Sequence, residues 1–67
     1  MSDTVIVYHQ DGCHPCLTAM EYLRQKGIQF TARNVSHDPT AQDELLALGS
    51  RSTPTIKIGA EILIGFS

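Results

Sequence analysis

The chain has 67 residues, 42% of them apolar and 18% charged, and carries a formal charge of -2 at pH 7. A chain this short buries only about 60% of the surface its unfolded form exposes, so residues 1–67 are read as one small domain. Five basic residues against seven acidic ones, scattered from Arg24 to Lys57, leave no electrostatic footprint for nucleic acid.

The first strand is expected at "TVIVY", residues 4–8, a β-branched run that is apolar on both faces, as in a buried strand of a parallel sheet. From residue 14 to 26, Cys16, Ala19, Met20 and Leu23 recur at the spacing of one helix face, with Thr18, Glu21 and Gln25 on another. Gly27 is placed to end that helix. "IQFTARNV", residues 28–35, alternates in part and reads as a second strand.

Asp38 before Pro39 then gives an N-cap with proline in the first helical position. Ala41, Leu45 and Leu48 form the apolar stripe of this second helix, and Gly49 closes it. After "SRSTP", the short segments "TIKI" (55–58) and "EILI" (61–64) flank Gly59-Ala60, a pair suited to a type II′ hairpin. The expected order is βαβαββ, an α/β fold with a four-stranded mixed sheet. The strand–helix–strand unit connects in parallel through a right-handed crossover, and the hairpin adds two antiparallel strands.

The longest apolar stretch, "IKIGAEILIGF", is interrupted by Lys57, Glu61 and glycines and falls short of the ~20 residues that a membrane-spanning helix needs. The N-terminus lacks the basic start and apolar core of a secretory signal. The chain is therefore expected in the cytoplasm, with no membrane partner. Glutathione and thioredoxin keep thiols reduced there, and a structural disulfide is the exception.

That setting gives meaning to Cys13 and Cys16, the two cysteines of the chain. A CxxC that leaves a strand and opens a helix within a βαβ unit is a redox signature in a cytosolic protein. At the helix start, unpaired N–H groups and the positive end of the helix dipole favour a thiolate. A thiol pKa can fall there from about 8.5 into the range of roughly 3.5 to 7.5. Cys13 is thus expected to be the nucleophile. Cys16, one turn in and on the apolar face, is expected to be the resolving thiol. Pro15 suits the first turn, where its missing N–H costs nothing.

With CHPC at residues 13–16, "STPT" at 52–55 and "IGF" at 64–66, the chain resembles the glutaredoxin branch of the thioredoxin-like family. The resemblance implies a thioredoxin-like fold and a thiol–disulfide oxidoreductase with no bound cofactor, acting on a disulfide-containing protein or small molecule. It implies a cis bond before Pro54, which would face the dithiol, while Thr53 would offer its backbone to the incoming compound. Ser52 and Gly65-Phe66 complete the expected substrate surface.

Several places depart from the pattern of glutaredoxins that bind glutathione. Asp11 stands where a basic residue is common, His14-Pro15 where an aromatic is common, and Gly65-Phe66-Ser67 where Gly-Gly and acidic residues are common. A negative Asp11 would repel a glutathione carboxylate. The "GF" ending looks more like the redoxins of the ribonucleotide reductase system, which draw electrons from thioredoxin reductase. The expected electron source is thioredoxin reductase or glutathione.

Two readings stand for His14. A protonated imidazole beside Cys13 would stabilise its thiolate and make the couple more oxidising, or the residue is a solvated helix start. Arg51 would meet a substrate carboxylate or be a solvated loop charge. His9 and His37 read as surface polar residues. Zinc would need a second ligand pair at defined spacing, which the sequence lacks, so no metal site is assigned. An iron–sulfur cluster shared between two chains through Cys13, and an interaction module with an inert CxxC, are the alternatives from other classes. The resemblance also implies a further helix after "GF". Without it, a hairpin face drawn from Ile56, Ile58, Ile62 and Ile64 would be partly bare, so the chain is expected to be marginally stable, to pair that face with another copy or, the favoured reading, to be a fragment of a longer protein.

Overall fold

The computed structural model describes residues 4–65. Its elements are β1 (Val5–His9), α1 (His14–Gln25), β2 (Thr31–Asn34), α2 (Pro39–Ala47), β3 (Thr55–Ile58) and β4 (Glu61–Ile64). They form one four-stranded sheet in the order β2-β1-β3-β4. β1 runs parallel to β2 and antiparallel to β3, and β3 pairs antiparallel with β4. This is the expected βαβαββ thioredoxin-like arrangement, with two helices among the described residues.

The local chemistry explains the boundaries. Cys13 is the N-cap of α1 and Asp38 the N-cap of α2, where its side chain accepts from the N–H groups of Thr40 and Ala41. Both helices end alike. The N–H of Ile28 donates to the carbonyl of Leu23 and that of Gly27 to Arg24, while Ser50 and Gly49 repeat the pattern on Leu45 and Leu46. These are Schellman closures, which need the left-handed backbone that Gly27 adopts at φ +73°. In the hairpin Gly59 has φ +58°, and no residue other than glycine has positive φ among the described residues, so Ala60 fits the second position of a type II′ turn.

Two expectations need correction. The second strand begins at Thr31 rather than at residue 28, because the Ile28 N–H is already committed to closing α1. The bare hairpin surface is also divided differently. Directly paired residues point to the same face of a sheet. The register Val7↔Ile56↔Leu63 therefore sets one face, while Tyr8↔Thr55↔Ile64 and Lys57↔Ile62 set the other. Ile56 and Ile62 thus face opposite ways.

Helix α1 covers the first face. Val7, Cys16, Ala19, Met20, Leu23 and Ile56 form the core there, with Val5, Phe30 and Ile58 partly buried against it. Each large apolar side chain buried in this way contributes roughly 1.5 to 3 kcal/mol. Helix α2 lies on the second face and is tied to two strands by Glu44. This carboxylate accepts from the Tyr8 hydroxyl at 3.1 Å and from Arg33 Nε and Nη2 at 3.2 and 2.8 Å. Strand β4 lies at the sheet edge, and its Ile62, Leu63 and Ile64 are exposed.

Candidate active site

The end of β1, the start of α1 and the loop before β3 meet at one end of the sheet. Cys13 and Cys16 are joined there by a disulfide with Cα atoms 5.3 Å apart. Cys16 is fully buried in the core, whereas Cys13 is only partly buried. This asymmetry follows from position. Cys13 caps the helix from outside, and Cys16 sits on the face that also presents Ala19, Met20 and Leu23 to the sheet.

Two donors converge on the Cys13 sulfur. The Cys16 N–H, one of the unpaired amides of the helix start, lies 3.2 Å from it, and the Thr53 hydroxyl lies 3.6 Å from it. Sulfur is a weak acceptor when neutral or in a disulfide, but a thiolate at this place would gain charge-assisted bonds from both. The helix dipole acts in the same direction. The site is therefore built to favour a negative charge on Cys13 once the disulfide opens.

The loop that delivers Thr53 is held from below. The Thr53–Pro54 peptide bond is cis, and Pro54 is fully buried. Beneath it Ser50 and Thr55 are buried polar residues. The Thr55 hydroxyl donates to the Ser52 carbonyl at 2.6 Å, which leaves its oxygen to accept from Ser50 Oγ at 2.7 Å. The Ser52 N–H in turn donates to Ser50 Oγ at 3.3 Å. Sequence reasoning did not single out Ser50; a serine just past a helix-ending glycine carries no signal of its own. From the other side the Gly65 N–H donates to the Pro54 carbonyl at 2.8 Å, which anchors the end of β4 to the same loop.

The remaining expected site residues divide. His14 and Pro15 form the exposed first turn of α1, and Ser52 and Arg51 are exposed in the loop before Pro54. Arg51 forms no ion pair among the described residues. Phe66 lies outside the described residues. No group of three or more His, Cys, Asp or Glu side chains among the described residues is placed to hold a metal ion.

Asp11 is more engaged than its sequence position suggests. Its carboxylate accepts from Asn34 Nδ2 at 3.1 Å and meets His37 Nε2 at 2.6 Å, while its N–H donates to Ser36 Oγ at 2.9 Å. The bonds from Asn34 and then His37 hold the Asp11 carboxyl below its usual pKa of 3.8. Burial lowers His9 below 6.5, and the charge of Asp11 opposes that shift. His37, read from the sequence as a surface residue, is the partner that sequence reasoning missed. A histidine in a loop gives no hint of a contact made 26 positions away.

Comparison with known proteins bears on what such a site does. The family model described as Glutaredoxin matches residues 5–63. The chain belongs to the glutaredoxin family. It is 34% identical over 62 residues to an uncharacterized glutaredoxin-like 8.6 kDa protein in the rubredoxin operon of Clostridium pasteurianum, covering 91% of this chain and 83% of that one. The crystal structure of the thioredoxin-like protein BC3987 superimposes with a TM-score of 0.92 at 34% identity, over 96% of this chain and 89% of its own. The glutaredoxin-like protein NrdH-redoxin from Escherichia coli follows with a TM-score of 0.86 at 26% identity, over 96% and 84%. The sequence resemblance and the expected fold are thus those found: a glutaredoxin-like redox domain carrying a CxxC pair.

Proposed function

We propose that this glutaredoxin-family domain is a thiol–disulfide oxidoreductase, with Cys13 as nucleophile and Cys16 as resolving thiol. The observation that carries this reading is the pair of donors on a partly exposed Cys13 sulfur beside a fully buried Cys16. In the reduced protein the Cys13 thiolate attacks one sulfur of a substrate disulfide, and the other substrate sulfur leaves as a thiolate. Cys16 then loses its proton and attacks Cys13 Sγ, which releases the second substrate thiol and closes the Cys13–Cys16 bond. Two electrons pass to the substrate, and an external reductant returns them. Thr53, Pro54, Ser52 and Gly65 supply the surface against which the substrate disulfide lies, with His14, Pro15 and Arg51 at its rim.

The reductant in this reading is thioredoxin reductase rather than glutathione, in the cytoplasm. By the family resemblance Asp11 stands where a basic residue commonly receives a glutathione carboxylate, and like charges repel. The related NrdH-redoxin is described by a thioredoxin-like activity profile, which supports the same direction. The test is recycling of the oxidised protein by thioredoxin reductase with NADPH against recycling by glutathione with its reductase. Faster turnover by the first route is expected. Preferential turnover with glutathione would overturn the choice of reductant.

A further inference from the structure

The loop between β1 and α1 is fastened to the turn between β2 and α2 by groups that the exchange reaction itself does not use. Asp11 takes Asn34 Nδ2 on one carboxylate oxygen and His37 Nε2 on the other, and its own N–H goes to Ser36 Oγ. Ser36 is held in turn, since its N–H donates to Asn34 Oδ1 at 2.8 Å. The Val35 N–H donates to the His9 carbonyl at 2.8 Å, so the two segments run side by side up to the clasp.

Asp11 stands two residues before Cys13, which limits their Cα separation to about 7 Å. A carboxylate that close disfavours a thiolate unless something offsets its charge. The charged or titratable groups around the clasp are His9 at the end of β1, Arg33 in β2, His37, and Asp38 at the start of α2. Arg33 is already engaged with Asp38 at 3.4 Å and Glu44 at 2.8 Å. His37 is the group in direct contact with Asp11.

We propose that Asp11 and His37 form a hydrogen-bonded clasp that positions the Cys13 loop and tempers the negative charge of Asp11 beside the Cys13 sulfur. Asp11 and His37 are positioning residues here, since neither touches the sulfur. Asp11 alone makes the dithiol a poorer thiolate source, and the contact of His37 with its carboxylate offsets part of that penalty. The proposal rests on the reading of Cys13 as nucleophile.

The test uses the full chain carrying Cys16→Ser, so that one thiol remains, and follows the rate of iodoacetamide alkylation of Cys13 against pH. Asp11→Asn is expected to lower the midpoint by about 0.5 to 1 pH unit, and His37→Gln to raise it by a similar amount. The double variant is expected to match Asp11→Asn alone, because the carboxylate on which His37 acts is then absent. Ser36→Ala removes a tether but no charge, and is expected to leave the midpoint in place. Midpoints of Asp11→Asn and His37→Gln that coincide with the parent overturn the proposal, and so does a Ser36→Ala shift as large as that of Asp11→Asn. Either result against a reactive parent leaves the oxidoreductase reading standing. A Cys13 that resists alkylation at every pH in the parent overturns both.

Discussion

The Thr53 hydroxyl lies 3.6 Å from the Cys13 sulfur, although 40 positions separate the two residues in the chain. The loop fixed by Pro54, Ser50 and Thr55 brings it there, so the donor is set in place before any substrate arrives. Thr53→Val keeps the branched shape and removes the donor. In the Cys16→Ser background it is expected to raise the pH midpoint of Cys13 alkylation by about 0.5 to 1 unit, the size of an ordinary hydrogen bond, since sulfur is a weak acceptor. Thr53→Ser is expected to restore the parent value. An unmoved midpoint in Thr53→Val would mean that the hydroxyl plays no part in holding the thiolate.

The unequal burial of the two sulfurs predicts unequal roles. Cys16→Ser is expected to accumulate as a mixed disulfide through Cys13 after brief exposure to a disulfide substrate, whereas Cys13→Ser is expected to form no adduct, because Cys16 is fully buried. Intact-protein mass spectrometry reads both. An adduct on Cys16 with none on Cys13 would reverse the assignment.

Glu44 joins Tyr8, Arg33 and helix α2 in one network. Glu44→Ala leaves the buried Tyr8 hydroxyl and a half-buried guanidinium without this partner. A loss of about 1 to 2 kcal/mol is expected in urea melts, less than a fully buried pair would show because Glu44 and Arg33 remain partly solvated. In a chain of this size each kcal/mol lowers the midpoint of thermal unfolding by roughly 4 to 8 °C. A change within about 0.3 kcal/mol would show that water replaces the network without penalty.

Acid should weaken the fold in two stages. His9 is lowered in the folded protein by burial, so the unfolded chain binds its proton first as pH falls. Its contribution is complete above the ordinary value of 6.5 and is lost as pH drops through the folded value. Asp11 is also lowered, by its bonds from Asn34 and His37. Its contribution is complete above 3.8 and is lost below that. Both favour higher pH. In urea melts from pH 7.5 to 5, His9→Asn is expected to flatten the slope, and an equally steep slope would show that His9 does not carry it.

Ile56 and Leu63 are directly paired on one sheet face, yet Ile56 is 4% exposed and Leu63 is 49% exposed. Ile56→Ala is expected to cost about 2 to 4 kcal/mol, and Leu63→Ala under about 1 kcal/mol for the monomer. Sedimentation across a range of concentrations accompanies the melts. A Leu63→Ala cost as large as that of Ile56→Ala, with a mass near twice that of one chain, would show that β4 is covered by a second copy.

What was legible in the sequence was what local chemistry decides. Cys13, Pro15 and Gly27 frame α1, and Asp38, Pro39 and Gly49 frame α2, because caps and closures are written within a few residues of the element they bound. The cysteine pair was legible for the same reason. The start of β2 was misplaced because alternation in "IQFTARNV" shows apolar spacing but not that Ile28 spends its N–H on Leu23. The division of Ile56 and Ile62 between faces was missed because strand register is a relation between segments. So too were the Thr53 hydroxyl on Cys13 and the His37 contact to Asp11, each of which exists only once distant parts of the chain meet.

The sheet order has a consequence during synthesis. β1 lies between β2 and β3, and its pairing with β3 joins Val5 to Ile58 near the far end of the chain. A growing chain therefore contains both sulfurs before the ribosome has made Thr53, Pro54 or Ile56. In that interval Cys16 has no sheet beneath it and Cys13 lacks one of its two donors. Oxidation at this stage can still join only the native intramolecular pair, since the chain has two cysteines, three positions apart. A nascent chain oxidised early thus already holds the native link, and the late strands need only close over it.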